Sequence, residues 1–399
     1  MSKAYLADLA LSYAPMLDAS GRILATRLSV APLKPSANID LSQVLSALEE
    51  AWPEQGGQLC LNLMHPGLLA QLFATEIHTP LSLEIPEFIA LDPSFEENLL
   101  KMAASGHTLL LQGLPTQPLP ASLLPVFKRS LIPADTDRRQ PGDAPSGVQR
   151  QIPFIQTGVR SRAAMHLAWQ RGACAIVGWP TDDIVRQEQG KQAGQPDGAV
   201  VMQLIQQLNT EEPVEKLDAT LKRDPALAYK LMRYINSPGF GLSVEISSFR
   251  HAIMILGYQR LKRWLALLLA TACTNPELKP VMFASVRRGI LMEELVRSSG
   301  DDEMASEMFI CGVFSQLDLL FGQPFSELLK TLPVPERVSQ ALAENTGPFA
   351  PYFRLVKTLE NEDPSGVRSV ADDLLASMGE VNRAVIKALG VAATLDAGE

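Results

Sequence analysis

The chain has little of what marks a secreted, metal-stapled or membrane-spanning protein. Its four cysteines, Cys60, Cys174, Cys273 and Cys311, are far apart and form no CxxC pair. That spacing argues against a disulfide framework or a cysteine zinc site, and for free thiols in a reducing compartment, so a cytoplasmic location is expected. Nowhere do about 18 apolar residues run together. The most apolar stretch, Leu261 to Cys273, is broken early by Lys262, Arg263 and Trp264, and reads as a buried helix. Met1 to Leu11 carries Asp8 and no cleavage-site pattern, so neither a signal peptide nor membrane insertion is expected. Positive charge is not in excess. There are 35 Lys and Arg against 44 Asp and Glu, a net charge of −9, and both halves are acidic. A nucleic-acid partner is therefore not expected. Phosphate-cradling glycine loops and the GxSxG elbow are missing, which leaves nucleotide-cofactor and serine-hydrolase chemistry without support.

What is present changes character near residue 190. Residues 1–180 hold short apolar runs between Pro, Gly and polar clusters. Strands are expected at Ile23–Leu28, Leu59–Leu63, Leu81–Ile85, Leu109–Leu111, Leu124–Ile132 and Ile152–Gln156. Helices are expected at Leu41–Ala51, Leu68–Ala74 and Phe95–Ala104. Alternation of this kind predicts a parallel α/β arrangement. Pro133–Gln151, rich in Pro, Gly and Asp, reads as a loop where a crossover helix should stand, which predicts an eroded barrel. Asp182–Gly198 reads as a linker. Beyond it strand signals vanish and helical periodicity runs to the end, from Val200–Leu208 to Glu380–Ala393.

The strongest local signal is Asp224-Pro225-Ala226-Leu227 through Tyr234-Ile235-Asn236-Ser237-Pro238, followed by Ile246-Ser247-Ser248 through Ala252-Ile253 to Leu256-Gly257. Asp224 caps a helix that begins at Pro225, and Gly257 ends the next one. The two strings resemble the HDOD family, whose signature is a "DP…LL…NS" helix followed by an "I-S…A-I…LG" helix. The resemblance covers most of residues 198–330. It implies a helical signalling or protein-interaction domain, similar in fold to the metal-dependent HD phosphohydrolases but without their metal ligands. Where those enzymes carry a His-Asp pair, this chain has Ser315 and Gln316. Its C-terminal half has a single histidine, His251, which alone builds no site.

The N-terminal half resembles EAL domains, barrel-type phosphodiesterases of cyclic di-GMP. Asn62 lies where that family has a strand asparagine, and Leu83-Glu84-Ile85-Pro86-Glu87 is similar to its "L-E-x-x-E" strand. Lys128 fits a later lysine strand, and Gly172–Pro180 the closing segment. Elsewhere the pattern departs. Arg27 stands at the first catalytic glutamate, Gln112-Gly113 at the paired aspartates, Gln156–Ser161 (with Arg160) at "A-E-x-V-E-T", and Ile176 at a glutamine. Magnesium or calcium needs several oxygen ligands. One carboxylate, Glu84, remains, and pairing with Arg27 or Lys128 is its simplest use.

Together these readings predict an α+β multidomain chain. A truncated EAL-type (TIM-like) barrel spans 1–185, a linker 186–197, and an all-α HDOD domain 198–399. The expected function is non-catalytic signal transduction through HDOD-mediated protein contacts, with no enzyme activity, catalytic residue, metal or cofactor. The alternatives are a non-hydrolysing cyclic di-GMP receptor, with Arg27, Lys128 and Arg160 as phosphate partners, and a residual phosphodiesterase. An unknown signalling protein is the expected partner and a cyclic dinucleotide the alternative one. The candidate interaction surface comprises Arg233, Asn236, Ser237, Arg250, Arg260 and Arg263.

Overall fold

A computed structural model describes residues 6–34, 39–53, 57–75, 77–114, 117–139, 152–184, 198–221, 249–271, 276–331 and 334–396. The chain forms two compact units. One joins Met1–Ile184 to Arg354–Glu399, and the other is Val185–Phe353.

In the first unit eight strands close into a barrel in sequence order: β1 (Leu9–Leu17), β2 (Ile23–Pro32), β3 (Gln58–Leu63), β4 (Ser82–Pro86), β5 (Thr108–Gln112), β6 (Phe127–Pro133), β7 (Phe154–Thr157) and β8 (Ala175–Val177). β1 runs antiparallel to both β2 and β8, and the remaining neighbours are parallel. The expected truncation is thus corrected, because the ring of strands is complete. Among the described residues, the outer layer is reduced. Helices α1 (Leu41–Ala51) and α2 (Pro66–Ala74) link β2 to β3 and β3 to β4. The short α3 (Glu87–Ala90) and α4 (Glu96–Ala104) link β4 to β5, and α5 (Arg162–Gln170) links β7 to β8. β5 passes to β6 without a described helix, and of the β6–β7 connection only 134–139 and 152–153 are described. Local chemistry sets the helix starts. Asp40 accepts the Ser42 N–H ahead of α1, and Ser161 accepts the Ala164 N–H ahead of α5.

Side chains alternate along each strand, so residues two apart share a face. Met16, Ala25, Cys60, Leu110, Leu131, Ile155, Ala175 and Val177 form one buried cluster. Two residues further along three of these strands stand Arg27, Asn62 and Gln112. The barrel interior is therefore apolar below and polar toward the C-terminal strand ends.

The segment after residue 353 completes this unit. Helix α14 (Ala350–Leu359) leads into it, followed by α15 (Val367–Asp373) and α16 (Met378–Asp396). α16 packs on β1 and α1. Its buried Asn382 donates to the Leu6 and Leu9 carbonyls, both at 2.8 Å. Gly390 meets the end of α1, where a Cβ would lie 2.1 Å from the Ala51 carbonyl oxygen. The sequence reading assigned 354–399 to the helical domain because its apolar spacing is helical. That spacing is correct, but the apolar face is spent on the barrel.

The second unit is built from α6 (Gly198–Asn209), α7 (Val214–Leu221), α8 (Phe249–Thr271), α9 (Lys279–Val296), α10 (Asp302–Phe314), α11 (Leu317–Phe321), α12 (Phe325–Thr331) and α13 (Glu336–Ser339). α8 is broken at Gly257, whose φ of 72° and ψ of 169° leave the helical region. This is the helix end that the sequence signals. α9 and α10 cross in close contact. A Cβ on Gly312 would lie 2.4 Å from the Arg288 carbonyl oxygen.

Candidate functional site

The polar layer of the barrel is one hydrogen-bonded network. Arg27 on β2 grips Glu84 on β4 in a two-pronged pair, Nε to Oε1 at 2.6 Å and Nη2 to Oε2 at 2.8 Å. Gln112 Nε2 on β5 donates to Glu84 Oε2 at 3.1 Å and to Asn62 Oδ1 at 2.9 Å. Asn62 Nδ2 on β3 donates to Ser29 Oγ at 3.0 Å. Cys60 Sγ donates to Glu84 Oε1 at 3.5 Å. All are buried or nearly so; Glu84 is 2 % exposed and Arg27 8 %. Burial alone would raise the Glu84 pKa, but the Arg27 charge and the bonds it receives hold it below the ordinary carboxylate value. The same burial pushes the Cys60 thiol well up, so it stays protonated.

Of the two cations considered for Glu84, the structure selects Arg27. Lys128 lies elsewhere. β6 pairs Leu109 with Phe127 and Leu110 with Arg129, leaving Lys128 as the extra residue of a bulge. Its side chain is exposed and reaches the Pro125 carbonyl oxygen at 3.3 Å. Its expected part in phosphate recognition is therefore corrected. Arg160, just past β7, sits at the rim, 3.3 Å from Asp182 and 3.1 Å from Asn361 Oδ1. Ile176 is buried in β8.

One participant was not legible beforehand. Glu362, 335 residues after Arg27, accepts from Arg27 Nη1 at 2.9 Å through Oε2 and from the Gly158 N–H at 2.6 Å through Oε1. Its sequence surroundings, Asn361-Glu362-Asp363-Pro364, carry the signature of an acidic surface turn. Nothing local marks it as a barrel residue.

Among the described residues, no three or more His, Cys, Asp and Glu side chains are placed to hold a metal ion. The donor set in the polar layer does not fit a hard divalent cation as arranged. Both Glu84 oxygens are engaged by a guanidinium, and that positive charge stands where a cation would need to approach.

In the helical unit, Ser315 and Gln316 follow α10. Arg288 on α9 donates to Ser315 Oγ at 3.2 Å. With the Gln316 amide turned to suit its neighbours, its carbonyl oxygen accepts from Arg288 Nη2 and Nη1 at 2.9 and 2.8 Å. The Arg288 guanidinium also lies 5.7 Å from the Phe353 ring centre. Arg263 pairs with Glu293 at 2.6 Å and stacks 4.0 Å over Phe309. Arg233, Asn236 and Ser237 fall outside the described residues, as do the Arg250 and Arg260 side chains.

Comparison with known proteins bears on both units. Residues 196–330 match the HDOD domain. The cyclic di-GMP phosphodiesterase CdgJ of Vibrio cholerae is 24 % identical over 337 residues, 82 % of this chain and 77 % of that protein. The uncharacterized protein YuxH of Bacillus subtilis is 30 % identical over 165 residues, 40 % of each chain. Among solved structures, the FimX EAL domain of Pseudomonas aeruginosa bound to c-di-GMP aligns with a TM-score of 0.32 at 16 % identity, covering 45 % of this chain and 92 % of that one. The expectation that the chain is not an enzyme is overturned by the CdgJ relationship, which spans most of both proteins and carries the name of an enzyme. Missing family carboxylates were too narrow a basis for that exclusion. Among the described residues, no helix is long and apolar enough to cross a membrane.

Proposed function

We propose that this chain is a cyclic di-GMP signalling protein. In this reading the barrel mouth engages the nucleotide and the HDOD unit carries the resulting state to a protein partner. The observation that carries it is the Arg27–Glu84–Gln112–Asn62 network at the C-terminal strand ends, the end of such barrels where ligands and substrates are handled. A phosphodiester is a diffuse anion, and guanidinium and amide N–H groups are its natural donors. The relationship to CdgJ supports the choice of ligand.

Within the HDOD unit, we take the surface around Arg263, Glu293 and Arg297 as the contact face. These residues line a cleft with Gln259, Asp301 and Asp302. Its mixed charge suits a polar protein surface rather than a nucleic acid.

The test is calorimetric titration of cyclic di-GMP into the full chain, with and without magnesium, followed by product analysis of the same samples. Saturable binding that Arg27→Ala weakens, with or without turnover to linear product, fits the proposal. Neither binding nor turnover at millimolar nucleotide would sink it.

A further inference from the structure

Glu362 does more than neutralise Arg27. Its two carboxylate oxygens take separate donors, a buried guanidinium and the main-chain N–H of Gly158 just past the end of β7. A positive side chain beside a free backbone N–H is how proteins hold an oxyanion. The turn that delivers the carboxylate is well fixed. Ser12 Oγ donates to the Glu362 carbonyl oxygen at 3.2 Å, and Arg160 Nη1 donates to the neighbouring Asn361. Asp363 caps the following turn by accepting from Ser365 N–H at 2.9 Å and Ser365 Oγ at 2.8 Å, and Pro364 is buried. The turn at 364–366 packs against β1 and β2. Yet the carboxylate itself is held less firmly than the Glu84 carboxylate below it. Its side chain keeps 30 % exposure, against 0 % for Glu84.

We propose that Arg27, the Gly158 N–H and Arg160 form an anion site for a phosphodiester or phosphate group, and that Glu362 is a built-in competitor occupying it. The Asn361–Asp363 turn then sits over the mouth as an autoinhibitory plug, and an incoming phosphate displaces the Glu362 carboxylate. This inference rests on the proposed nucleotide reading for its natural ligand, but the anion site can be examined without it.

The test uses the full chain and two variants, Glu362→Gln and Glu362→Ala. The first keeps the shape and the acceptor for Gly158 while removing the charge. Binding of cyclic di-GMP and, separately, of inorganic pyrophosphate is measured by calorimetry, and thermal unfolding checks that both variants fold. Removing an internal competitor should tighten apparent binding about 10- to 100-fold, because the open state ceases to be a minor population. Tightening toward both probes, or toward the nucleotide alone, upholds the plug. Tightening toward pyrophosphate with no nucleotide binding upholds the plug and removes the cyclic di-GMP reading. Equal nucleotide affinity in wild type and both variants overturns the plug and leaves that reading standing. No binding of either probe to any of the three proteins overturns both.

Discussion

Each unit buries an arginine within a hydrogen-bonded cluster, Arg27 in the barrel and Arg288 in the helical unit. Arg27 in the barrel is clamped by carboxylates, Glu84 from a neighbouring part of the wall and Glu362 from far along the chain. Arg288 in the helical unit is met by the hydroxyl of Ser315 and the amide carbonyl of Gln316. A hydrogen bond from a guanidinium to a carboxylate carries strong electrostatic coupling and a severe penalty if the partner is lost, whereas one to a neutral hydroxyl or amide couples less.

The largest test of that contrast is Arg27→Ala, which strands Glu84 in a fully buried position. A loss of about 3–5 kcal/mol is expected in denaturant unfolding of the barrel unit. The double change Arg27→Met with Glu84→Met should recover most of it, since the uncompensated charge is gone. Gln316→Ala, by comparison, should cost about 1.5–3 kcal/mol; a cost equal to that of Arg27→Ala would erase the distinction. Gly312→Ala probes the packing that brings Arg288 to its place. Its Cβ would collide with the Arg288 carbonyl oxygen, and about 1–3 kcal/mol of strain should appear as a lower unfolding midpoint.

Acid separates the two carboxylates on Arg27. Glu84 sits below its ordinary value of 4.5, so its contribution to stability is present above that pH and fades as pH falls through the lowered value. Glu362 sits above 4.5, burial outweighing the pull of Arg27 and the Gly158 N–H. Its protonated form is favoured in the fold, so that contribution is present below 4.5 and lost as pH rises through the shifted value. On acidification Glu362 therefore takes up its proton first, while the Arg27–Glu84 pair persists. Carboxyl carbon shifts followed by NMR, assigned with Glu84→Gln and Glu362→Gln, would show the reverse order if this account is wrong. The smallest effect is expected for Arg160→Ala. That side chain is 66 % exposed, and its pair with Asp182 should contribute no more than about 1 kcal/mol.

Much of this architecture was legible because it is local. The runs at Leu59–Leu63, Leu81–Ile85 and Leu109–Leu111 are strands, and Gly257 breaks its helix. The polar layer was legible too, since Arg27, Asn62, Glu84 and Gln112 stand out against apolar strands. Misreadings came where a long-range partner decides. The bulge at Lys128 depends on how β6 aligns with β5, which β6 alone does not encode. β1, Leu9–Leu17, is uniformly buried and was not among the strands expected from the sequence. The helix-poor stretch Pro133–Gln151 suggested an eroded barrel, and nothing in residues 1–180 announces that α16 packs on β1 and α1. Glu362 was invisible for the same reason: an acidic turn looks alike whether it faces water or an arginine hundreds of residues away.

That return of the chain has a consequence for biogenesis. The barrel unit is discontinuous in sequence, with the whole helical unit translated between its two pieces. During synthesis the nascent barrel therefore waits with the flank beside β1 and α1 bare while about 170 residues of helical unit emerge. Leu9, Leu11 and Tyr13, buried in the finished fold, belong to the strand that waits for its cover. Pulse-labelled chains arrested before residue 354 should accordingly be protease-sensitive in the barrel and prone to chaperone capture, whereas chains released after α16 should not.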